Sequence, residues 1–471
     1  MMRKSLITLS FVTILTLGGC SLSPELKTPT LEMPLEATSP VSVEDAWWKG
    51  YGDTTLNALI EEALSNNYDL QSAMANISLA RATVSSSTSN RYPSVDVEGS
   101  SKRTRTSADS FNSTQHKTYN DFSLSAVLSY EVDLWGKYKE AETSSRASLI
   151  ATYAAKDTVK LSLCASVVDS YMGLLGLNEQ LGIVQSTIAS REESLKRYQA
   201  QYSLGSINKV TLLQEEAELN SAKNTQESLL QSIALQQSAL AILVGKSPKE
   251  IEAFSHQKQA HTLPREIDVP SSLPSELLSK RPDIKQAEEN LKAANANIGV
   301  ARAAYFPSIS LSGAFGYEST QLSNLVGTKS AMQSLGGSFA SPLFNMGKTS
   351  ATVDSAKANK ELAEIAYKQS VQQAFKEVYD ALNTRHSLKQ RLNLQEAYVA
   401  NMEKIYVLSE KQYKEGYGDY LSLLDAKRNY LNAQLVMVQL KQSLLSSGVS
   451  LFKALGGGWN SQTFESQFSS L

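Results

Sequence analysis

The chain has 471 residues, of which 42% are hydrophobic and 20% charged, so it carries enough apolar material to build large cores. Its formal net charge is −2, which argues against a strongly basic surface for nucleic acid. Four scattered histidines and two cysteines predict neither a metal site nor a disulfide framework.

The amino terminus has the features of a targeting segment. Arg3 and Lys4 precede a mostly apolar run over 6–17, which is too short to span a bilayer as a mature helix. Small residues then lead into Cys20 in a pattern that resembles a bacterial lipobox, so we expect covalent lipid on Cys20 and no other cofactor. An ordinary signal peptide that happens to contain a cysteine is the alternative. Cys164 is expected to be a small buried residue of a helix.

The sequence is an internal duplication. At a shift of 214 residues, Asp69 and Pro93 align with Asp283 and Pro307, and many neighbours align with them. Further along the chain the shift becomes 211, where Gly205 aligns with Gly416. The chain therefore consists of two similar halves.

Long helices are predicted in both halves. All twelve prolines lie within 24–93, within 248–307 or at 342, so no proline interrupts a helix in 94–247 or after 342. Apolar residues there recur at spacings of three and four. Gly205 and Gly416 offer the obvious helix ends. The segment from Lys137 to Tyr202 would reach roughly 100 Å if unbroken, at ~1.5 Å per residue.

Between the helices the pattern changes to a two-residue alternation over 122–134, which predicts a β-strand with one apolar and one polar face. Partner strands are predicted from 95, from 309 and over 339–344. A soluble hairpin is the alternative. Because four strands cannot close a barrel and open edges are not tolerated in lipid, closure requires several copies, and three copies give twelve strands.

The predicted fold is mainly α with a membrane β part: a duplicated unit of hairpin and long helices, whose trimer forms a 12-stranded β-barrel continued by a periplasmic α-helical barrel. Together with the family resemblance given below, these features imply the following organisation: a signal peptide at 1–19, a lipidated equatorial segment at 20–60, first-repeat helices at 61–92 and 135–245, a first hairpin at 93–134, an inter-repeat equatorial segment at 246–273, second-repeat helices at 274–306 and 345–455, a second hairpin at 307–344 and a tail at 456–471.

Several motifs resemble those of TolC-like outer-membrane factors in the NodT-type lipoprotein branch. They include Trp47-Trp48 with Asp53-x-x-Leu56, the segment 278–284, the segment 299–307 and the segment 130–136. The resemblance runs in order from Trp47 to Gly458. It implies the outer-membrane channel of a tripartite efflux system, a passive homotrimeric duct for drugs or other small toxic compounds. A periplasmic adaptor and an inner-membrane RND-type transporter would be its partners, and it would not be an enzyme.

Within that family the pore narrows at the periplasmic helix tips. The resemblance assigns Leu421 and Asp425, four residues apart on one helical face, to an apolar ring and a carboxylate ring. It assigns Tyr413 to the contacts that tie the closed helices together. The first-half equivalents, Val210 and Gln214, lack the charge, so only the second half is expected to line the constriction.

Two points remain open around this gate. Asp425 could pair with Arg428 on a solvated helix while Leu421 packs between helices. Gln412 stands where relatives often have arginine, so an inter-helix ion pair there would need Lys411 or Lys414.

The tips themselves are the expected adaptor contacts: Gly205, Ser206, Gly416, Tyr417 and Gly418. Turn chemistry alone would also explain their glycines. Heavy-metal export, protein export and a non-pore coiled-coil scaffold lipoprotein are the competing functions.

Overall fold

A computed structural model describes residues 22–27, 29, 45–107, 118–247, 249–250, 262–267 and 281–468. The chain forms two compact units. The first comprises Met1–Thr30, Asn76–Thr152 and Gln286–Lys368, and the second comprises Leu31–Ala75, Tyr153–Lys285 and Gln369–Leu471.

The described helices and strands follow a duplicated order. In chain order they are α1 (Thr54–Asn66), α2 (Tyr68–Ser89), β1 (Ser94–Arg105), β2 (Thr118–Glu131), α3 (Lys137–Ser203), α4 (Lys209–Leu243), α5 (Pro282–Ala303), β3 (Ser308–Ser319), β4 (Ala331–Ala340), α6 (Lys348–Lys414), α7 (Tyr420–Ala454) and α8 (Ser461–Ser466), with 3₁₀ turns at Trp47–Tyr51, Leu322–Asn324 and Thr328–Ser330.

The two halves have helices of equal length. Helices α3 and α6 have 67 residues each, and α4 and α7 have 35 each. Gly173 and Gly176 do not interrupt α3. A methyl group added at either position would lie 3.2 Å from Gln236 or Gln442, respectively, so these glycines allow close side-chain packing against the helix.

The core of the second unit is apolar and dense. Its fully buried side chains include Tyr171, Met172, Leu174 and Leu175 of α3. The hydroxyl of Tyr171 donates to Asp53 over 2.8 Å. Further aromatic packing occurs where the indole of Trp47 stacks on Phe452 with ring centroids 4.7 Å apart. Cys164 is buried as expected, and burial raises the pKa of its thiol to about 11.

The first unit contains a four-stranded antiparallel sheet in the order β1-β2-β3-β4. Its register separates two faces. One face carries rows such as Val95, Leu128, Gly313 and Leu335, and the other carries rows such as Ser94, Ser129, Ser312 and Gly336. The alternation predicted for β2 thus continues across the sheet in these rows, although β4 alternates weakly.

The fourth strand differs from its prediction. It covers Ala331–Ala340 and not 339–344, because Pro342 cannot donate to a strand ladder and the stretch before it pairs fully with β3. Likewise β2 ends at Glu131, before the end of the alternation at 134. Among the described residues, the outer edges of β1 and β4 have no strand partner.

Candidate gate at the helix tips

Both long helix pairs of the second unit are joined by the same turn. Gly205 and Gly416 have φ angles of 69° and 82°, a left-handed conformation that favours glycine. The amides of Ser206 and Tyr417 each donate to a carbonyl five residues earlier over 2.9 Å. This pattern is a Schellman motif, so the tip glycines are required by the turn itself.

The helices that leave the turns are capped by side chains. Asn208 accepts from the backbone N–H of Thr211 over 2.9 Å at the start of α4. Asp419 accepts from the Ser422 N–H over 2.8 Å and from the Ser422 hydroxyl over 2.7 Å at the start of α7. The Ser422 hydroxyl, followed by its amide, lowers the pKa of the Asp419 carboxyl. The two caps are equivalent in geometry, but only the Asp419 carboxyl can titrate, because the Asn208 side chain is a neutral amide.

Leu421 and Asp425 lie on the exposed face of α7. The Leu421 side chain is 58% exposed and Asp425 is also exposed, whereas Leu423 and Leu424 between them are buried. An exposed leucine one turn from an exposed carboxylate forms a mixed apolar and acidic stripe. The first half has no equivalent stripe. At the corresponding positions of α4, Val210 is exposed but Gln214 is uncharged and half-buried.

Arg428 does not hold Asp425. Its Nε lies 2.7 Å from a carboxylate oxygen of Glu218 on α4. That hydrogen bond is the main cause of the raised pKa of the Arg428 guanidinium, and the charge of Asp425 adds a smaller contribution. Within the described part of the chain no ion pair of 4.0 Å or less joins Asp425 to Arg428, so the Asp425 carboxylate remains on the surface.

Three tyrosines from three helices meet beside the tips. The ring of Tyr413 at the end of α6 lies 6.4 Å from that of Tyr198 on α3 and 5.9 Å from that of Tyr420 on α7. Burial and a hydrogen bond with Tyr413 raise the pKa of Tyr198. Burial and the neighbouring Glu215 carboxylate raise the pKa of Tyr420. Sequence reasoning singled out Tyr413 and missed its two partners.

A buried ionic cluster below the tips was also missed. Arg191 of α3 lies 2.9 Å from Glu218 at 7% side-chain exposure on both partners. Lys427 of α7 lies 3.5 Å from Glu215, which is 2% exposed. With Arg428, this cluster joins the first-half helices to α7. The signal was present in the duplication, because Glu215 and Glu218 align with Ala426 and Asn429.

The remaining predicted residues are placed as follows. Tyr417 is 87% exposed at the tip, and Gly418 packs so closely on Gln412 that an added methyl group would lie 3.1 Å from it. Lys414 pairs with Glu410 of its own helix over 3.2 Å. Cys20 lies outside the described residues, within which no group of three or more His, Cys, Asp or Glu could hold a metal ion.

A sheet with one apolar face, and long paired helices whose tips carry an exposed stripe of Leu421 and Asp425, are the features expected of a channel of the outer-membrane type. The chain belongs to the family of outer membrane efflux proteins, whose model matches residues 59–246 and 273–457. This family is one of channels and not of enzymes.

Curated relatives and solved structures match along almost the whole chain. The cation efflux system protein CusC of Escherichia coli O6:H1 is 33% identical over 465 residues, which cover 96% of this chain and 98% of that protein. The toluene efflux pump outer membrane protein TtgC of Pseudomonas putida is 31% identical, with 98% and 97% covered. The crystal structure of the Campylobacter jejuni CmeC outer membrane channel superimposes with a TM-score of 0.89 at 29% identity, with 96% and 99% covered.

These matches confirm the family resemblance, the fold class and the role of an outer-membrane channel in an efflux system. The protein is located in the outer membrane and extends into the periplasm through its helices.

Proposed function

We propose that this chain forms a lipid-anchored, passive exit duct that closes at its periplasmic helix tips through Leu421 and Asp425. The observation that carries the proposal is the exposed Leu421 and Asp425 stripe of α7, which the duplicated first half lacks. The duct would consist of three copies and would transport drugs or other small toxic compounds. An inner-membrane RND-type transporter would supply them through a periplasmic adaptor.

The sheet supports three copies. Among the described residues, the outer edges of β1 and β4 have no strand partner, and lipid does not tolerate unpaired backbone groups. Three four-stranded sheets joined edge to edge give an even number of strands within the range of known outer-membrane barrels. The exposed apolar row that includes Val95 and Leu335 would then face lipid.

The gate acts through electrostatics and wetting. Three Asp425 carboxylates around one axis would attract cations and repel anions, and three Leu421 side chains beside them would resist water. Because Arg428 is engaged by Glu218, it does not neutralise this acidic ring.

Two further contacts are proposed outside the pore, one with the adaptor and one with the membrane. Gly205, Ser206, Gly416, Tyr417 and Gly418 form the ends of the helix pairs, where an adaptor would dock. Lipid on Cys20 would supply an anchor separate from the barrel.

The gate is tested by single-channel conductance in planar bilayers. Leu421→Ala combined with Asp425→Ala should raise conductance and reduce the preference for cations over anions. The matched control is Val210→Ala with Gln214→Ala at the equivalent first-half positions, which should leave both properties unchanged. An unchanged conductance of the second-half variant, or an equal effect of the control, contradicts the gate assignment.

The cargo is tested separately, since CusC is named for cation efflux and TtgC for toluene efflux. Deletion of the gene should sensitise the cell to antibiotics and bile salts. Sensitisation to copper and silver alone would assign the duct to metal export instead.

A further inference from the structure

The segment just after Cys20 is held by a set of side chains that the channel function does not use. The guanidinium of Arg302 donates to the Leu22 carbonyl over 2.9 Å, and the amide of Asn295 donates to the Pro24 carbonyl over 2.9 Å. The Ser23 hydroxyl donates to Glu140 over 3.2 Å. All of these groups belong to the first unit.

The absence of a side chain at Gly299 lets the backbone of Ser23 approach helix α5 closely. A methyl group added there would lie 3.0 Å from the Ser23 amide nitrogen and 2.9 Å from Cγ of Glu140. Glu140, Asn295, Gly299 and Arg302 together form what we call the N-terminal dock.

The first repeat has other residues at two of these positions. At the shift of 214, Gly299 and Arg302 align with Ser85 and Thr88 of α2. Ser85 is exposed, and the Thr88 hydroxyl donates within the unit to Glu142 over 3.1 Å. Only the second half carries the glycine and the arginine at these positions, and the first half contributes Glu140 from α3 to the same contact.

The dock lies next to the end of the sheet that the helices enter. Helix α5 ends at Ala303, and β3 begins at Ser308. An aromatic residue stands within four residues of the same end of every strand: Tyr92, Trp135, Phe306 and Phe344. Aromatic girdles of this kind mark the membrane interface of outer-membrane barrels.

We propose that the N-terminal dock positions the lipidated amino terminus, so that the acyl chains enter the membrane at this end of the sheet. The inference rests on the proposed lipid at Cys20. Cys20 is only two residues from Leu22, and two residues span at most about 7 Å. Arg302 and Gly299 are thus positioning residues for the anchor, a role for the Gly299-to-Pro307 motif that the pore does not explain.

Trypsin cleavage after the exposed Lys27 tests whether the dock holds the segment. In the purified lipidated trimer, Arg302→Ala and Gly299→Val should each speed release of the fragment 20–27, measured by mass spectrometry. Loss of one hydrogen bond should speed it about fivefold, because cleavage follows the population of the open segment. Ser85→Val is the matched control and should cleave at the wild-type rate. Wild-type rates in both dock variants overturn the proposal.

A double-mutant cycle tests whether the dock acts through the lipid. Gly299→Val and Arg302→Ala should each lower the yield of outer-membrane trimer. Neither should lower it further in a Cys20→Ser protein exported by a cleavable non-lipoprotein signal. Equal, additive losses in both backgrounds overturn the positioning role. The mass of the amino-terminal peptide reports lipidation itself, so failure of the proposed anchor is recognised independently of the cleavage rates.

Discussion

The two helix tips have the same backbone conformation but contribute side chains of opposite charge to the contact between them. Both have a 67-residue helix, a glycine turn, a side-chain cap and a 35-residue helix. The first tip, however, contributes the buried acids Glu215 and Glu218, while the second contributes the bases Lys427 and Arg428. When the two halves are aligned, Lys427 and Arg428 correspond to Glu216 and Ala217, so the first half lacks these bases. Divergence after duplication therefore turned two similar hairpins into complementary partners.

The difference between the tips accounts for the confinement of the exposed Leu421 and Asp425 stripe to the second half. The first-half acids are directed inward, where Arg191 and the second-half bases satisfy them. Asp425 has no such partner within 4.0 Å among the described residues and stays at the surface. The exposed acid Asp425 and the largely buried base Lys427 thus lie two residues apart, on different sides of α7, with different consequences for stability and for conductance.

The largest predicted effect comes from breaking the shared ionic cluster. Glu218→Ala leaves the Arg191 guanidinium buried without its acid, which should cost about 3–5 kcal/mol. The thermal midpoint of the trimer, followed by circular dichroism, should fall well below that of the wild type. Glu193→Ala is the control: its partner Arg197 is 57% exposed and the pair should contribute at most about 1 kcal/mol. Equal midpoints for the two variants would show that the halves are not joined through Glu218.

Sequence reasoning recovered the features that repeat. The duplication, the turn glycines and the alternation of strand β2 depend on local geometry, which a periodic pattern records directly. The start of β4 was misplaced, because its stretch contains Gly336 and Gly337 and alternates weakly. The predicted strand includes Pro342, whereas the observed strand ends at Ala340, before the proline.

The ionic cluster was beyond local patterns. Glu215 and Glu218 occupy a helix rich in charge, where acidic residues are usually solvated. Their burial depends on Arg191 of α3 and on bases some 210 residues away in the chain. Only an explicit comparison of the two halves, position by position, would have shown that the acids lack counterparts in the second half.

A smaller effect tests what the tips share. Gly205→Ala and Gly416→Ala each place a methyl group in open space, so the cost comes from the left-handed φ alone, about 1 kcal/mol. The two thermal midpoints should fall equally. Gly182→Ala inside α3, also in open space, is the control of opposite sign and should stabilise by up to ~1 kcal/mol. A larger loss at Gly416 than at Gly205 would mean that the second tip is constrained beyond its turn.

The smallest effect separates the two caps by pH. The pKa of Asp419 is lowered from 3.8 in the folded chain, so its contribution to stability is present above about pH 4 and is lost as the pH falls through the lowered value. Asn208 caps the first tip without titrating. We expect Asp419→Asn to keep the cap, since asparagine caps as well as aspartate, and to flatten part of the acid limb of the thermal midpoint against pH. Asn208→Asp, the reciprocal variant, should steepen that limb. If Asp419→Asn leaves the acid limb unchanged while Asn208→Asp steepens it, the second cap does not contribute in the assembled channel, and the symmetry of the two tips ends at their backbone.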